Sequence, residues 1–323
     1  MKRRINTPRN YQMTIQEAFD EFIYEKKALN KAPKTVLSYV GSIRRWTDFL
    51  DEQGKSLNIT DLNSTYIFSF ASHHLSNNMN PITLNCYLRH IRAFSYWCMN
   101  KEYIPHFKIQ LVVEQQTIKN TFTDYEKRTL IKKPADTDSF TDWRMWAIVN
   151  WVLATGNRAR TLCSVMMEDL IFSDDEIAIR KTKTNKAMIL PMSPALKKVL
   201  REYVRKWRAD TSDTDYLFPN VLNGQLTSDA LHGSFQKYCH KRGILNTSIH
   251  AMRHTFAKDY IRNNGDVFRL QKILGHSTLE MTRRYVNMFS EDLKDDYEKY
   301  SPLDTLIKPS NRKQTIHRTD KKR

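Results

Sequence analysis

The sequence predicts a mainly α-helical protein in two domains, the second carrying a small β-hairpin. Three observations predict it. Apolar residues recur at helical spacing through most of the chain, and several of these stripes open on a capping box, a hydroxyl and a carboxylate three residues apart: Thr14 with Glu17, Thr123 with Glu126, Ser277 with Glu280. Two short segments, Glu176-Ile177-Ala178-Ile179-Arg180 and Ala187-Met188-Ile189-Leu190, have strand character on either side of a lysine-rich turn, KTKTNK. Residues 104–120, IPHFKIQLVVEQQTIKN, read as an extended connector without a core of its own. With 323 residues, 40% of them hydrophobic, the chain is long enough to fill a core on each side of it.

Residues 1–10 form a basic, irregular lead, and a helical domain is expected over 11–103. Its first helix buries Ile15, Ala18, Phe19, Phe22 and Ile23; its second, after Pro33, turns Val36, Tyr39, Val40, Ile43, Phe49 and Leu50 inward. A third runs from Asp61 to about Leu75, and a fourth from Pro81 packs Leu84, Leu88, Ile91 and Phe94. Lys34, Arg44, Arg45, Arg89 and Arg92 lie off these stripes, with Tyr96 and Trp97 nearby. They suit contacts to a duplex backbone, or are solvated helix faces. The alternation of Ile109, Leu111 and Val113 leaves a short strand open within the 104–120 linker.

A second domain is expected over 121–300. The segment from Thr141 to Ala154 is apolar nearly all round, which marks a buried helix, and Gly156 stops or kinks it just before Arg158 and Arg160. After the hairpin, Ser193-Pro194 opens a long helix in cap-then-proline order, and another helix spans about Leu226 to Arg242. Three more follow: one carrying His250 and Arg253 and ending at Asn264-Gly265, one capped by Asp266, and one capped by Ser277 with Tyr285 near its end. Ser290 to Tyr300 reads as a last amphipathic helix, and 301–323 as a basic tail.

Composition narrows the function. A net charge of +17 favours a polyanionic partner, nucleic acid ahead of a membrane surface. No apolar run approaches the roughly 18 residues that span a bilayer, and the basic N-terminus lacks the apolar core of a secretory signal. Cys86, Cys98, Cys163 and Cys239 form no C-x-x-C pair and read as reduced, mostly buried thiols of a cytosol. Neither a phosphate-binding loop nor a dinucleotide fingerprint is present, so no nucleotide cofactor is indicated. Asp174-Asp175-Glu176 and Asp295-Asp296 could suggest a metal-dependent nuclease, but their turn and helix-surface settings read as solvated.

The stretch SIHAMRHTFAKDYIRNNGDVFRLQKILGHSTLEMTRRYVN, from Ser248 to Asn287, concentrates the chemistry. His250 and Arg253, three apart, share one helix face; His276 follows Gly275, and Tyr285 comes nine residues later. Cations, histidines and a tyrosine in this order suggest a phosphodiester site with Tyr285 as nucleophile. His254 is left as structural or a secondary phosphate contact, and Arg283 and Arg284 as phosphate contacts or solvated charge.

Here the sequence resembles the tyrosine recombinases, the integrase-type DNA breaking-rejoining enzymes, in their two-domain, Xer-like form. TGNR at Thr155 to Arg158 resembles the family's first arginine motif, and KTKTNKAMILP its β-hairpin lysine motif, selecting Lys183. HAMRHTFA at His250 to Ala257 resembles H-x-x-R-H, LGHS resembles the motif that supplies His276, and Tyr285 stands at the nucleophile's distance. The resemblance covers roughly residues 12 to 300 and implies a helical SAM-like core-binding domain joined to a mixed α+β catalytic domain, with no added module for arm-type sites.

The implied catalytic set is Arg158, Lys183, His250, Arg253, His276 and Tyr285, with Lys181 as a further DNA contact. Paired hydrogen bonds from Arg158 and Arg253 would neutralise the scissile phosphate and lower the Tyr285 phenol from its usual pKa of about 10. His250 is expected to accept the tyrosine proton, Lys183 to protonate the leaving 5′-oxygen, and His276 to add a hydrogen bond to the phosphate. A 3′-phosphotyrosine link conserves the bond energy, so no metal, ATP or other cofactor is expected. The partners implied are double-stranded DNA with a specific core site, three further copies of the chain in a homotetramer, and an accessory DNA-bending or directionality protein. Ser290 to Leu306 would dock on a neighbouring copy, and the location implied is the cytoplasm, with the nucleoid. Two departures stand out: Thr161 occupies the place of a common acidic residue, and Asn157 that of an apolar one. The competing readings are a type IB topoisomerase and a DNA-binding protein whose site has decayed.

Overall fold

In a computed structural model the described residues are 13–114, 120–180, 187–276 and 278–287, and the chain divides into two compact units, Met1–Thr117 and Ile118–Arg323. The predicted capping, Lys181, Lys183, Ser277, Ser290 to Tyr300 and the basic tail fall partly on other residues: Lys181, Lys183, Ser277 and everything after Asn287 lie outside the described ones.

The first unit holds α1 (Ile15–Ala28), α2 (Pro33–Glu52), α3 (Ser64–Ser76) and α4 (Pro81–Asn100). Thr14 caps α1 as predicted: its hydroxyl accepts from the Glu17 N–H, and the Glu17 carboxylate accepts from the Thr14 N–H at 2.7 Å. Phe22 anchors the core, meeting Phe94, Tyr39 and Trp97 edge to face at 5.2–5.7 Å between centroids. Three expectations need correction. On α2 the inward stripe passes through Trp46, while Val40 is exposed. Asp61 ends a separate 3-10 turn, Ile59–Asp61, because Asn63 is the better cap and its side chain accepts from the Thr65 N–H. Trp97 belongs to the core, its indole N–H donating to Glu25, so it offers no face to a duplex.

Residues 104–114 form no strand. They pack on this unit instead: Ile104 and Ile109 are buried, and the Asn85 carboxamide takes the Val112 N–H at 2.9 Å while giving a hydrogen bond to the Val112 carbonyl at 2.7 Å.

The second unit holds α5 (Asp124–Leu130), α6 (Phe140–Thr155), α7 (Ala159–Leu162), β1 (Leu170–Ile171), β2 (Glu176–Ile179), β3 (Met188–Pro191), α8 (Pro194–Trp207), α9 (Ser228–His240), α10 (Ile249–Arg262), α11 (Val267–Leu274) and α12 (Leu279–Asn287). As its composition demands, α6 is buried on nearly every side, packing against α8, α9 and α10. The hairpin is the β2–β3 pair, with Ile177 opposite Leu190, and the two-residue β1 extends it to an antiparallel sheet ordered β1-β2-β3. A smaller cluster, Phe256, Ala257, Leu270, Leu274 and Tyr285, ties α10, α11 and α12 together.

α10 stops differently from the expected Asn-Gly signal. Asn264 takes the left-handed turn at φ 56°, while Gly265 does not have positive φ. Gly265 is required for space, since a Cβ there would stand 2.2 Å from the Tyr260 ring.

Candidate active site

The site forms where two helices end. α6 terminates in Gly156 at φ 63°, and a Cβ there would lie 2.4 Å from Phe256 and 2.8 Å from Leu274, so only glycine allows α6 to end against α10 and α11. The last carbonyls of a helix lack intrahelical partners and carry the negative end of its dipole. Arg253 from α10 uses them: Nη1 donates to the Gly156 carbonyl at 2.6 Å and Nη2 to the Leu274 carbonyl, at the end of α11, at 2.9 Å. Arg158, the residue before α7, donates Nη1 to the same Leu274 carbonyl at 3.2 Å. Two guanidiniums from distant parts of the sequence thus converge on one oxygen.

Among the described residues neither guanidinium pairs with a carboxylate. Burial, followed by repulsion from Arg158, pushes Arg253 down to about 10, and the Tyr285 oxygen partly offsets both. Burial also lowers Arg158, again offset by Tyr285. Both remain cationic at neutral pH. Among the described residues they form a desolvated positive pair, oriented by dipoles and neutralised by no carboxylate, which a phosphate would complete.

His276 follows α11 and sits 3.0 Å through Nε2 from Arg253 Nη2. A guanidinium can only donate, so Nε2 accepts; the ring proton is then on Nδ1, which donates to Thr282 Oγ1 at 2.8 Å. In this state His276 supports Arg253, and it could give Nε2–H to a phosphate only after gaining a proton there. Its ring lies parallel to Tyr285, with an interplanar angle of 4° and centroids 6.3 Å apart.

Tyr285, on α12, is only 6% exposed, and its hydroxyl lies 2.7 Å from Nδ1 of His254. The sequence alone does not mark His254 as reactive, although its place four residues after His250 puts both on one helix face. His250, exposed at the start of α10, meets this group through its ring, 4.5 Å from His254 and nearly edge to face. Arg158, Arg253, His254, His276 and Tyr285 are therefore together, with His250 at their edge.

The departures acquire local accounts. Asn157 is buried and its side-chain oxygen accepts the Trp151 indole N–H at 2.8 Å, so a polar residue is satisfied where an apolar one was anticipated. Thr161 is buried in α7, its N–H closing onto the Arg158 carbonyl at 2.9 Å. Just past β2, Arg180 bonds to Glu168 and Asp169 at 2.8 and 2.7 Å, pinning the strand before the segment that carries Lys181 and Lys183. Asp175 pairs with Lys197, and among the described residues no group of acidic, histidine and cysteine side chains could hold a metal ion.

In the first unit Lys34, Arg44, Arg45 and Arg89 are exposed and Arg92 is half-buried. Arg45 lies over the Tyr87 ring at 5.3 Å, and Arg89 is paired with Glu114 at 2.9 Å. Among the described residues no helix is long and apolar enough to cross a membrane.

The phage integrase family matches residues 120–291, and the phage integrase N-terminal SAM-like domain matches residues 16–102. The chain is similar to the tyrosine recombinase XerD of Rhizobium meliloti (strain 1021), 25% identical over 300 residues that cover 89% of this chain and 94% of the relative. Its fold is similar to that of the Tn1549 transposon integrase in complex with a circular intermediate DNA, with a TM-score of 0.69 and 20% identity over 85% of this chain and 95% of the other. It is also similar to the lambda integrase in a tetramer bound to a Holliday junction, with a TM-score of 0.67 and 13% identity over 85% and 78%. Matched by the family over residues 120–291 of 323, this chain belongs to the phage integrase family.

Proposed function

We propose that the protein is a site-specific DNA recombinase that cleaves and rejoins strands through a 3′-phosphotyrosine link to Tyr285, to integrate, excise or resolve a mobile or circular element. The observation that carries this reading is the convergence of Arg158 and Arg253 on the Leu274 carbonyl, with the Tyr285 hydroxyl close enough to support the charge of both. A phosphodiester placed there receives hydrogen bonds from both guanidiniums on its non-bridging oxygens, which stabilises the charge that grows as Tyr285 attacks phosphorus. The P–O5′ bond breaks, and Lys183 gives its proton to the departing oxygen. His250 accepts the Tyr285 proton, and His276 adds a hydrogen bond to the phosphate once it carries a proton on Nε2. Rejoining runs the same steps backwards with a second 5′-hydroxyl, and the conserved ester energy removes any need for ATP.

Double-stranded DNA with a specific core site is the substrate, held in part by Lys34, Arg44, Arg45, Arg89, Arg92 and Lys181 through backbone contacts. The active form is a homotetramer that joins two sites in the cytoplasm, at the nucleoid, with an accessory DNA-bending or directionality protein where the element requires one. The domains of this reading are a core-binding one over 11–103 and a catalytic one over 121–300, joined through 104–120. The test is a suicide substrate nicked near the crossover: a covalent protein–DNA adduct forms with the wild type and is lost in Tyr285→Phe. Absence of any adduct at the cognate site defeats the proposal, and relaxation of plasmids lacking a site would point to a topoisomerase instead.

A further inference from the structure

We infer that the outer face of α8, through Lys198, Arg201 and Arg205, is a second DNA-binding surface, which takes the phosphate backbone of duplex lying beyond the core site. This rests on the recombinase reading above for the identity of the partner and adds a contact away from Tyr285.

The helix divides cleanly. Leu196, Leu200 and Tyr203 are buried, while Lys198, Arg201 and Arg205, spaced three and four residues apart, form one exposed stripe on the opposite side. At 1.5 Å per residue the stripe is about 10 Å long, over which one strand of a duplex presents about three phosphates. A groove of about 470 Å³ runs beside it, lined also by Pro194, Lys197 and Glu202. The carboxylates within reach are already taken: Glu202, the one acidic residue of α8, pairs with Lys133, Lys197 pairs with Asp175, and Lys206 with Asp136. Among the described residues no carboxylate pairs with Lys198, Arg201 or Arg205. Arg201 lies over the Phe172 ring at 5.5 Å, which orders its guanidinium without consuming its charge. The chemistry of the partner follows from what the face lacks, since no large apolar side chain of α8 is exposed. A protein partner needs an apolar or aromatic centre to bury, whereas a phosphate backbone needs only charge, its affinity coming from released counterions.

This face is separate from the one that meets the scissile strand. α8 and α10 both pack on α6, and the stripe on α8 turns away from α6 and so from Arg253 and its neighbours on α10. The hairpin points the same way: β3 delivers the chain to α8 at Pro194, the end of the strand away from the segment that carries Lys183. DNA held at Tyr285 therefore reaches Lys198, Arg201 and Arg205 only outside the core site. Contacts to phosphate alone carry no sequence information; they set the path of the flanking duplex.

The test uses the full-length protein and two probes, a bare core-site duplex and the same site with about 20 base pairs of flank on each side, in mobility shifts from about 50 to about 200 mM salt. Replacing Lys198, Arg201 and Arg205 together by alanine is expected to flatten the dependence of log affinity on log salt for the flanked duplex. The slope should fall by about 2.7, about 0.9 for each phosphate contact, so across that range the wild type loses about 40-fold more affinity than the variant. On the bare duplex the slope is expected to stay at the wild-type value, and adduct formation at Tyr285 within about twofold of it. Lys198→Arg, which keeps the charge, should keep the flanked slope. Should the alanine variant melt early, replacement of the three by glutamine, which keeps the length of the side chains and removes only their charge, decides. An unchanged slope on the flanked duplex would overturn the assignment, as would follow if α8 met an acidic protein or only solvent. An equal fall on both duplexes would overturn it too, by placing α8 at the core site. Absence of the adduct with the wild type would instead remove the recombinase reading, and the salt slopes would still be read.

Discussion

The junction at Gly156 offers the sharpest physical test, because fold and site meet there in one residue. Gly156→Ala would place an L side chain at φ 63°, a left-handed conformation that costs about 1–2 kcal/mol. It would also drive a methyl to 2.4 Å from Phe256 and 2.8 Å from Leu274, and overpacking of that kind costs about 1–3 kcal/mol. Together these predict a loss of about 2–5 kcal/mol in the second unit. Gly243 supplies the control: it lies in the same unit at φ 72° with nothing within 4 Å of its added Cβ, so Gly243→Ala carries only the conformational cost of about 1–2 kcal/mol. Both variants are compared by hydrogen exchange of α10 peptides in rising urea, which reads this unit without assuming that the whole chain unfolds in one step. The Gly156 carbonyl accepts from Arg253, so strain at this residue reaches the site and Gly156→Ala is also expected to lose more cleavage rate than Gly243→Ala. Equal destabilisation of the two variants would refute the close-approach explanation.

Other outcomes follow from the same reasoning. Asn157→Ala removes the acceptor of the buried Trp151 indole and is expected to cost about 1–3 kcal/mol, seen as a lower melting temperature. Asn85→Ala breaks the paired bonds to Val112, so limited proteolysis near residues 109–114 should quicken several-fold while α1 to α4 stay protected. Burial raises the Cys163 thiol to about 11 and Cys239 to about 12, and pushes Cys98 upward as well. A raised thiol pKa keeps the protonated, unreactive form below that value, so from pH 7 to 9 the native protein should titrate one thiol with a disulfide reagent, the exposed Cys86, and four once denatured.

How much of this was legible in the sequence depends on how local the cause is. The capping boxes at Thr14 and Thr123 and the all-apolar α6 could be read directly, because hydrogen bonds within one turn and burial on every side leave short-range patterns. Family membership was legible for another reason: several weak motifs stood in one order. What escaped was set by tertiary contact. β1 is two residues long and exists only because Leu170 finds Ile177. Trp97 looked available for a duplex until Glu25, far back in the chain, was seen to hold its indole. His254 was passed over because a histidine beside an arginine carries no signal of its own. Its meaning comes from Tyr285, 31 positions away, folding onto it.

The arrangement also explains why Thr161 need not be a defect. An acidic side chain near a catalytic arginine orients it, but at the expense of part of its charge. Here the orienting is done by backbone: the Gly156 and Leu274 carbonyls fix Arg253, and Leu274 fixes Arg158, with no carboxylate among the described residues spending the positive charge beforehand. The cost appears in the arginines themselves, Arg253 being held down to about 10 by burial and by its neighbour. An incoming phosphate relieves that cost and is bound more strongly for it, most of all in the transition state, where its charge is greatest. On this account Thr161→Glu would add back a competitor for the same guanidiniums. It should weaken adduct formation in single-turnover cleavage, and an increase in rate would show that the carbonyls alone do not hold the site.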